Sequence, residues 1–437
     1  MKSKIILWIA FLSLFGREAN AQEKPLRWDL KTCIDYALSH NIQVKKQKLS
    51  LEQSLENTRQ ARSERLPSLS FSSSQAYVNR PFPEISDKNA YSASYDLNSS
   101  VTLYQGGTLK MNIRQMELNN EVEGLMVKES GNRIELAIMQ AFVEVLYAYE
   151  TVKINENTVE VSKAQRDRGK ELWEAGSLSQ ADLAQLESEY TSDQYGLVVA
   201  QTTLDNNRLE LKQLLELGID EEMDLLIPDL PDAAVLVGLP SKENVYLTSL
   251  GVMPEIRYNQ LNIQVAGIGK DKAWAGYLPT LSLGAGIGST HVSGNGGFGT
   301  QLKHNWSENI GLTLSVPIFS RRSNRTAVNL AKLEVENAQL NYESVQKDLL
   351  KSIETVYQNA VSAQEQFRSA QESLKAVEKS FELVQQQFSL GMKNTLEMLT
   401  EKNNLLIARL KVAQAKYTAV LNRQLLNFYE GKEVVIQ

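Results

Sequence analysis

From Ile353 to Phe388 the apolar residues fall at alternating steps of three and four. They are Ile353, Val356, Ala360, Ala363, Phe367, Ala370, Leu374, Val377, Phe381, Val384 and Phe388, with mostly Gln, Glu, Lys, Ser and Asn between them. Such a step averages about 3.5 residues per turn, which keeps one narrow seam against a partner helix and predicts a coiled coil. The seam stops at Gly391, the residue type that closes helices in the left-handed conformation. It resumes at Leu396, Leu399, Leu406, Leu410, Ala413 and Tyr417, so the chain is expected to run back beside itself as a long helical hairpin.

The same reading applies upstream. Ile34, Ala37, Leu38, Val44, Leu51 and Leu55 predict one helix over 30–65, stopped at Leu66-Pro67. Two period-two runs follow and predict strands. The first sets Leu69, Phe71 and Tyr77 against Ser68, Ser70, Ser72 and Ser74; the second sets Tyr95, Leu97, Val101 and Leu103 against Ser94, Asp96, Asn98, Ser100 and Thr102. A loop over 79–90 separates them. From Thr108 the period is helical to about Arg168, with a seam of Ile138, Phe142, Val145, Tyr149 and Val152. A turn over 172–178 contains Gly176, and Leu183, Leu186, Tyr190, Leu197, Leu204, Leu211 and Leu214 mark the returning helix.

The programme then repeats. Asn41-Ile42-Gln43-Val44 answers to Met253-Pro254-Glu255-Ile256, and Leu66-Pro67-Ser68-Leu69-Ser70 to Leu278-Pro279-Thr280-Leu281-Ser282. A third strand places Leu281, Leu283, Ala285 and Ile287 opposite Ser282, Gly284, Gly286 and Gly288. After a Gly- and Asn-rich loop over 293–305, a fourth has Ile310, Leu312, Leu314 and Val316 opposite Gly311, Thr313 and Ser315. Gly176 and Gly391 are 215 apart, as are Val101 and Val316, and Pro67 and Pro279 are 212 apart. One duplicated unit explains this spacing. Residues 22–218 form the first repeat, with a strand pair at 67–104 and a hairpin at 108–218. Residues 219–250 are a connector, and 251–437 the second repeat, with a strand pair at 280–319 and a hairpin at 320–430.

Composition changes the picture at the N-terminus. Lys2 and Lys4, the apolar run Ile5–Phe15 and the small-x-small end Ala19-Asn20-Ala21 predict a secretory signal peptide over 1–21. Its removal takes three basic residues and one acidic, moving the formal charge from −6 to −8. An acidic mature chain without a basic block argues against nucleic acid as a partner. Cys33 is not at the start of the mature chain, so no lipid-anchored terminus is expected. Its setting, Ile34-Asp35-Tyr36-Ala37-Leu38, reads as helix with a small apolar residue. His40, His291 and His304 lack metal-ligand spacing, and neither a nucleophile–base set nor a cofactor fingerprint is present. No enzyme activity, cofactor or metal is expected.

Strands of this length, apolar on one face and bearing mainly small polar residues on the other, suit an exported protein whose strands cross a bilayer at a tilt and line a lumen. A small soluble β domain would also alternate. If the strands span, four cannot close a barrel, since the smallest common one has about eight, and open edges are not tolerated in lipid. Several chains must then share one barrel. The long helices, on the order of 100 Å at 1.5 Å per residue, need water around their polar faces.

The duplication, the Leu-Pro-x-Leu-Ser strand starts and the paired turns Leu172-Trp-Glu-Ala-Gly-Ser-Leu-Ser-Gln-Ala-Asp-Leu183 and Phe388-Ser-Leu-Gly-Met-Lys-Asn-Thr-Leu-Glu-Met-Leu399 together resemble the TolC-like outer-membrane factors of efflux pumps and type I secretion systems. The resemblance covers essentially the whole mature chain. It implies a mixed α/β, mainly α membrane protein, a homotrimer of four strands per chain. Its twelve-strand barrel sits in outer-membrane lipid of a Gram-negative bacterium and continues into an α-helical periplasmic tunnel. The implied partners are a periplasmic adaptor (membrane fusion) protein and an inner-membrane pump of RND or ABC type. It places a periplasmic entrance gate at Asp182, Glu397, Lys393 and Phe388, the last standing where the family uses tyrosine. Adaptor docking falls to the turns around Gly176, Ser177, Leu178, Gly391 and Met392. A further family aspartate is missing, with Thr400 in its place.

Ser179-x-x-Asp182 and Asn394-x-x-Glu397 are also capping-box spacings, so helix capping alone accounts for both acids, and capping combined with a gate accounts for them equally. The leading expectation is an outer-membrane exit duct that conducts passively. The alternative is a periplasmic coiled-coil adaptor or scaffold, although adaptors carry one hairpin and this chain has two.

Overall fold

A computed structural model of the protein describes residues 27–82 and 89–436. The expected signal peptide lies outside the described residues. The first half runs α1 (Leu30–His40), α2 (Ile42–Ser63), β1 (Ser68–Asn79), β2 (Asn89–Gln105), α3 (Thr108–Glu174) and α4 (Gln180–Leu214). The link between halves carries α5 (Asp232–Val235). The second half runs α6 (Lys242–Val252), α7 (Pro254–Ala275), β3 (Thr280–Val292), α8 (Phe298–His304), β4 (Ser307–Ser315), α9 (Ser323–Ser389) and α10 (Thr395–Tyr429). Corresponding helices match in length: α1 and α6 have 11 residues, α2 and α7 have 22, α3 and α9 have 67, and α4 and α10 have 35.

Four local expectations are corrected. The single helix over 30–65 is two, broken at Asn41. There the Asn41 side chain accepts a hydrogen bond from the Gln43 backbone N–H (2.8 Å) and its amide donates to the Leu214 carbonyl (3.2 Å), so a new helix starts in a new direction. Met253 and Pro254 make the matching break between α6 and α7, with proline at the first helical position. The loop over 293–305 contains α8. Leu103 is not on the apolar ladder, because the register slips between Thr102 and Tyr104. In the returning helix Leu396 is exposed, and the buried seam begins at Thr395, Met398, Leu399, Lys402 and Leu405.

The forward seam keeps its phase. Ile353, Ala360, Ala363, Phe367 and Phe381 are buried and the six remaining positions are partly buried. α9 and α10 pack along one another, as do α3 and α4, and α10 also lies against α3. α2 lies on α3, and α7 lies between α9 and α3, near Leu118, Val122 and Leu261. The main core gathers Ile138, Phe142, Leu146, Leu211, Ile353, Phe367 and Leu426 around the middle of both hairpins. Cys33 is in this core, where burial pushes its thiol up to about 12, so it stays protonated and acts as a small apolar side chain. The link from the first half rejoins the core through a parallel bridge between Trp28 and Leu225.

At one end of the helices the four strands form an antiparallel sheet in the order β1-β2-β3-β4. The register puts Ser70, Asn98, Gly286 and Asn309 in one row, and Phe71, Leu97 and Ile287 in the next. One face is therefore mainly Ser, Asn, Thr and Gly with Asp96, and the other is mainly Leu, Phe, Tyr, Ile and Val, with Glu308 completing the row of Phe71, Leu97 and Ile287. That apolar face is open: Leu69, Phe71, Ile310, Leu312 and Leu314 are each more than 60% exposed. Both β1 and β4 are edge strands, and among the described residues neither has a second partner. No helix of the described residues is long and apolar enough to cross a membrane.

Candidate functional site

The two hairpin turns lie together at the end of the molecule opposite the sheet, and their backbones are the same. α3 ends with Gly176 at φ 74°, with Ser177 N–H donating to the Leu172 carbonyl (2.8 Å) and Gly176 N–H to the Trp173 carbonyl (2.9 Å). α9 ends with Gly391 at φ 73°, with Met392 N–H donating to Gln387 (2.9 Å) and Gly391 N–H to Phe388 (3.0 Å). Both are Schellman closures, in which a left-handed glycine lets the last carbonyls find donors.

The return helices then start from caps. Ser179 accepts from the Asp182 N–H (3.1 Å) and its hydroxyl donates to the Asp182 carboxylate (2.6 Å). Asn394 accepts from the Glu397 N–H (2.8 Å), and Glu397 in return accepts from the Asn394 N–H (3.2 Å), a complete capping box. Lys393 donates to the free oxygen of Glu397, four residues along the same turn. The Ser179 hydroxyl holds the Asp182 carboxyl below its ordinary range, and the nearby Thr395 hydroxyl, buried and without a hydrogen bond of normal geometry, acts in the same direction. The Lys393 ammonium, then the Asn394 N–H, do the same for Glu397. Both carboxylates are thus ionised over the ordinary range, and both residues are partly exposed.

The structure brings the sequence-predicted residues together unevenly. Asp182 on one turn neighbours Thr395 on the other. Beneath them Leu186 packs on Met398 and Leu399, with Leu178, Val384 and Phe388 at the margin, so Phe388 is part of the packing between hairpins. Lys393 is engaged within its own turn. Ser177, Gly176, Gly391 and Met392 are exposed, and Leu390 and Leu396 add apolar surface beside them. Trp173 is 42% exposed.

One group was missed by sequence reading. Lys402, 3% exposed, sits in the seam of α10 and bridges to Glu189 (2.6 Å) and Asp193 of α4. It ties the first hairpin to the second just above the turns. A signal existed: two acids one turn apart repel unless a cation lies between them, and Lys402 stands where the spacing from Leu399 calls for an apolar residue. A second polar lining occurs higher up, where Lys153, Arg409 and Lys416 meet Glu150, Asp229 and Asp232 around a cavity of about 640 Å³. Tyr417 borders it, and burial pushes its hydroxyl up to about 12.

Comparison with known proteins adds a family description to this geometry. The model for "Outer membrane efflux protein" matches residues 33–216 and again 248–431. The chain is similar to outer membrane protein TolC of Escherichia coli (strain K12), 22% identical over 96% of this chain and 85% of that one. It is also similar to the alkaline protease secretion protein AprF of Pseudomonas aeruginosa, 22% identical over 69% of this chain and 63% of that one. Among solved structures, CusC, described in terms of folding and transmembrane channel formation, superposes with a TM-score of 0.79 at 18% identity, covering 96% of both chains.

Proposed function

This chain belongs to the outer membrane efflux protein family, and on that premise we propose that it is the passive exit duct of a tripartite efflux pump or type I secretion system. The protein is an outer-membrane channel of the efflux and secretion class. The rival reading as a periplasmic adaptor gives way, because the family model matches both repeats.

The observation that carries the finer reading is a sheet with two free edges, one apolar face and one small, polar face, continued directly into helices of about 100 Å. In lipid both edges need partners. Three copies would join β4 of each to β1 of the next, giving a twelve-strand barrel whose lumen is lined by the Ser, Asn and Gly face. Exposed apolar positions along the helices, Leu330, Leu333 and Leu340 on α9 and Tyr195, Val198 and Val199 on α4, support burial against neighbouring copies. The tunnel then ends at the paired turns. There the exposed Gly176, Ser177, Gly391 and Met392 offer an adaptor its docking points, together with Leu178 at the packed margin, and Asp182 and Glu397 set a negative entrance. An inner-membrane pump of RND or ABC type would supply the energy, and no step in the duct makes or breaks a bond.

Planar-bilayer recording tests the entrance. Asp182→Ala with Glu397→Ala should leave oligomers assembled while changing single-channel conductance and divalent-cation block. Unaltered conductance and block would reduce both acids to helix caps.

A further inference from the structure

The connection between β3 and β4 folds back onto the apolar, membrane-facing side of the sheet. α8 covers the outer end of that face, over Tyr95, Ser289 and His291. Phe298 meets Tyr95 edge-on (6.5 Å between ring centres) and also meets His291 (4.9 Å). A helix of 7 residues has little stability alone, and side-chain bonds hold this one in place. The buried Gln301 donates to the Val292 (2.8 Å) and Gly296 (3.0 Å) carbonyls and accepts from the Val292 N–H (2.9 Å). The Ser289 hydroxyl donates to the Leu302 carbonyl (2.6 Å), and the Asn305 amide to that of Thr290 (2.8 Å). The segment is a fixed platform.

Its outward side has a distinct composition. Phe298 and Trp306 are about half exposed, at 46% and 57%. Lys303 is exposed and has neither an ion pair nor a hydrogen bond among the described residues, and His304 beside it is also exposed. The platform stands where the apolar belt of Phe71, Leu97, Ile287 and Ile310 ends: Ser307 pairs with Gly288, and Glu308, opposite Ile287 on the same face, accepts from the Trp306 indole N–H (3.0 Å) and holds that ring at the boundary. Aromatic rings at the edge of an apolar belt mark the membrane–water boundary, and a lysine beyond them reaches the headgroups. The helices extend from the other end of the sheet toward the periplasm, so this boundary belongs to the outer leaflet.

From these positions we propose that α8 and Trp306 form a seat for the phosphorylated glycolipid of the outer leaflet, with Phe298 and Trp306 among its acyl chains and Lys303 on a phosphate. The inference rests on the barrel reading, which decides that the apolar face meets lipid. Continuity with the apolar belt and an exposed cation at headgroup level, without an ionic partner among the described residues, favour this occupant over a protein partner, which would need a larger apolar patch.

The test is lipid binding to the purified full-length protein, followed by native mass spectrometry and by the shift in thermal midpoint. Lipid A and phosphatidylglycerol are compared at equal phosphate. Lipid A should bind the wild-type oligomer, and Lys303→Glu should weaken it about tenfold, the value of one charge-assisted phosphate contact. Lys303→Gln should show a smaller loss in the same direction, and Lys332→Glu, on exposed α9, none. Equal binding to wild type and Lys303→Glu, or phosphatidylglycerol binding as tightly as lipid A, overturns the seat. A monomeric wild-type protein overturns the barrel reading and the seat together, whereas an intact oligomer with Lys303-independent binding overturns the seat alone.

Discussion

The two halves of the chain share a backbone more closely than they share side chains. Where β2 enters α3, Gly106 and Gly107 take φ 57° and 79°; where β4 leads into α9, Arg321 and Arg322 take 46° and 69°. The end of α10 closes at Gly431 (φ 67°), and the end of α4 closes at Glu216 (φ 57°). Each pair is 215 residues apart. The duplicated fold therefore demands left-handed turns at set places and accepts residues for which they are strained. Glu216 has local compensation, since its carboxylate accepts from the Ile42 N–H at the start of α2 (3.2 Å). Crowding explains part of the difference at the other turn: a Cβ on Gly106 would lie 3.0 Å from Ala275 Cβ and 3.1 Å from Leu278 Cβ.

The hairpin tips diverge in a second way, by dividing opposite charges between them. The cation Lys402 stands on the second hairpin and its acids Glu189 and Asp193 on the first. The positions 215 residues away hold Glu187, Asn404 and Ala408. Divergence has turned two equivalent helices into a complementary pair.

The largest expected effect breaks that pair. Lys402→Met leaves the buried Asp193 and the partly buried Glu189 without their cation, at a cost of about 3–5 kcal/mol. It should free the tips of α4 and α10 to hydrogen exchange and lower the thermal midpoint. Adding Glu189→Gln and Asp193→Asn should restore most of the loss, and no restoration would mean that Lys402 acts through packing alone.

The left-handed turns come next. Gly106→Ala should destabilise by about 1–3 kcal/mol, and Arg321→Gly or Arg322→Gly should stabilise by about 1 kcal/mol each. At the other matched pair, Gly431→Ala would bring a Cβ to 2.8 Å from Val252 and should destabilise. Glu216→Gly should gain under about 1 kcal/mol, because it also loses the bond to Ile42. Thermal midpoints of the five variants give the order directly.

The smallest effect is with pH. Asp182 and Glu397 both have lowered folded-state carboxyl pKa values, so their support for the turns is present above the ordinary carboxylate range and is lost as pH falls through the folded values. Amide exchange at the first turns of α4 and α10 should accelerate only in acid. Glu397→Gln and Asp182→Asn should flatten that dependence, and an unchanged pH profile would assign it to other groups.

The long hairpins, the strand alternation and the duplication were legible because each rests on a repeating spacing of many residues. The breaks at Asn41 and Met253 were not, because a single capping residue in a continuous helical pattern is a weak signal. α8 was hidden in a segment whose glycines read as loop, and it is held by tertiary bonds from Gln301, Ser289 and Asn305. At the candidate entrance, the spacing of Ser179 with Asp182 and of Asn394 with Glu397 announced caps. The contact of Asp182 with Thr395 depends on how two turns more than 200 residues apart meet. Lys402 was legible only in part. A lysine in an apolar seam is visible, but its partners lie on another helix.

The central claim is that several chains complete one barrel, and mass together with location tests it most directly. Outer-membrane fractions would be solubilised in detergent and the particle mass measured with the detergent contribution removed. The account predicts a species of three chains in the outer membrane. A single chain with its two sheet edges unpaired, or a soluble periplasmic species, would contradict it.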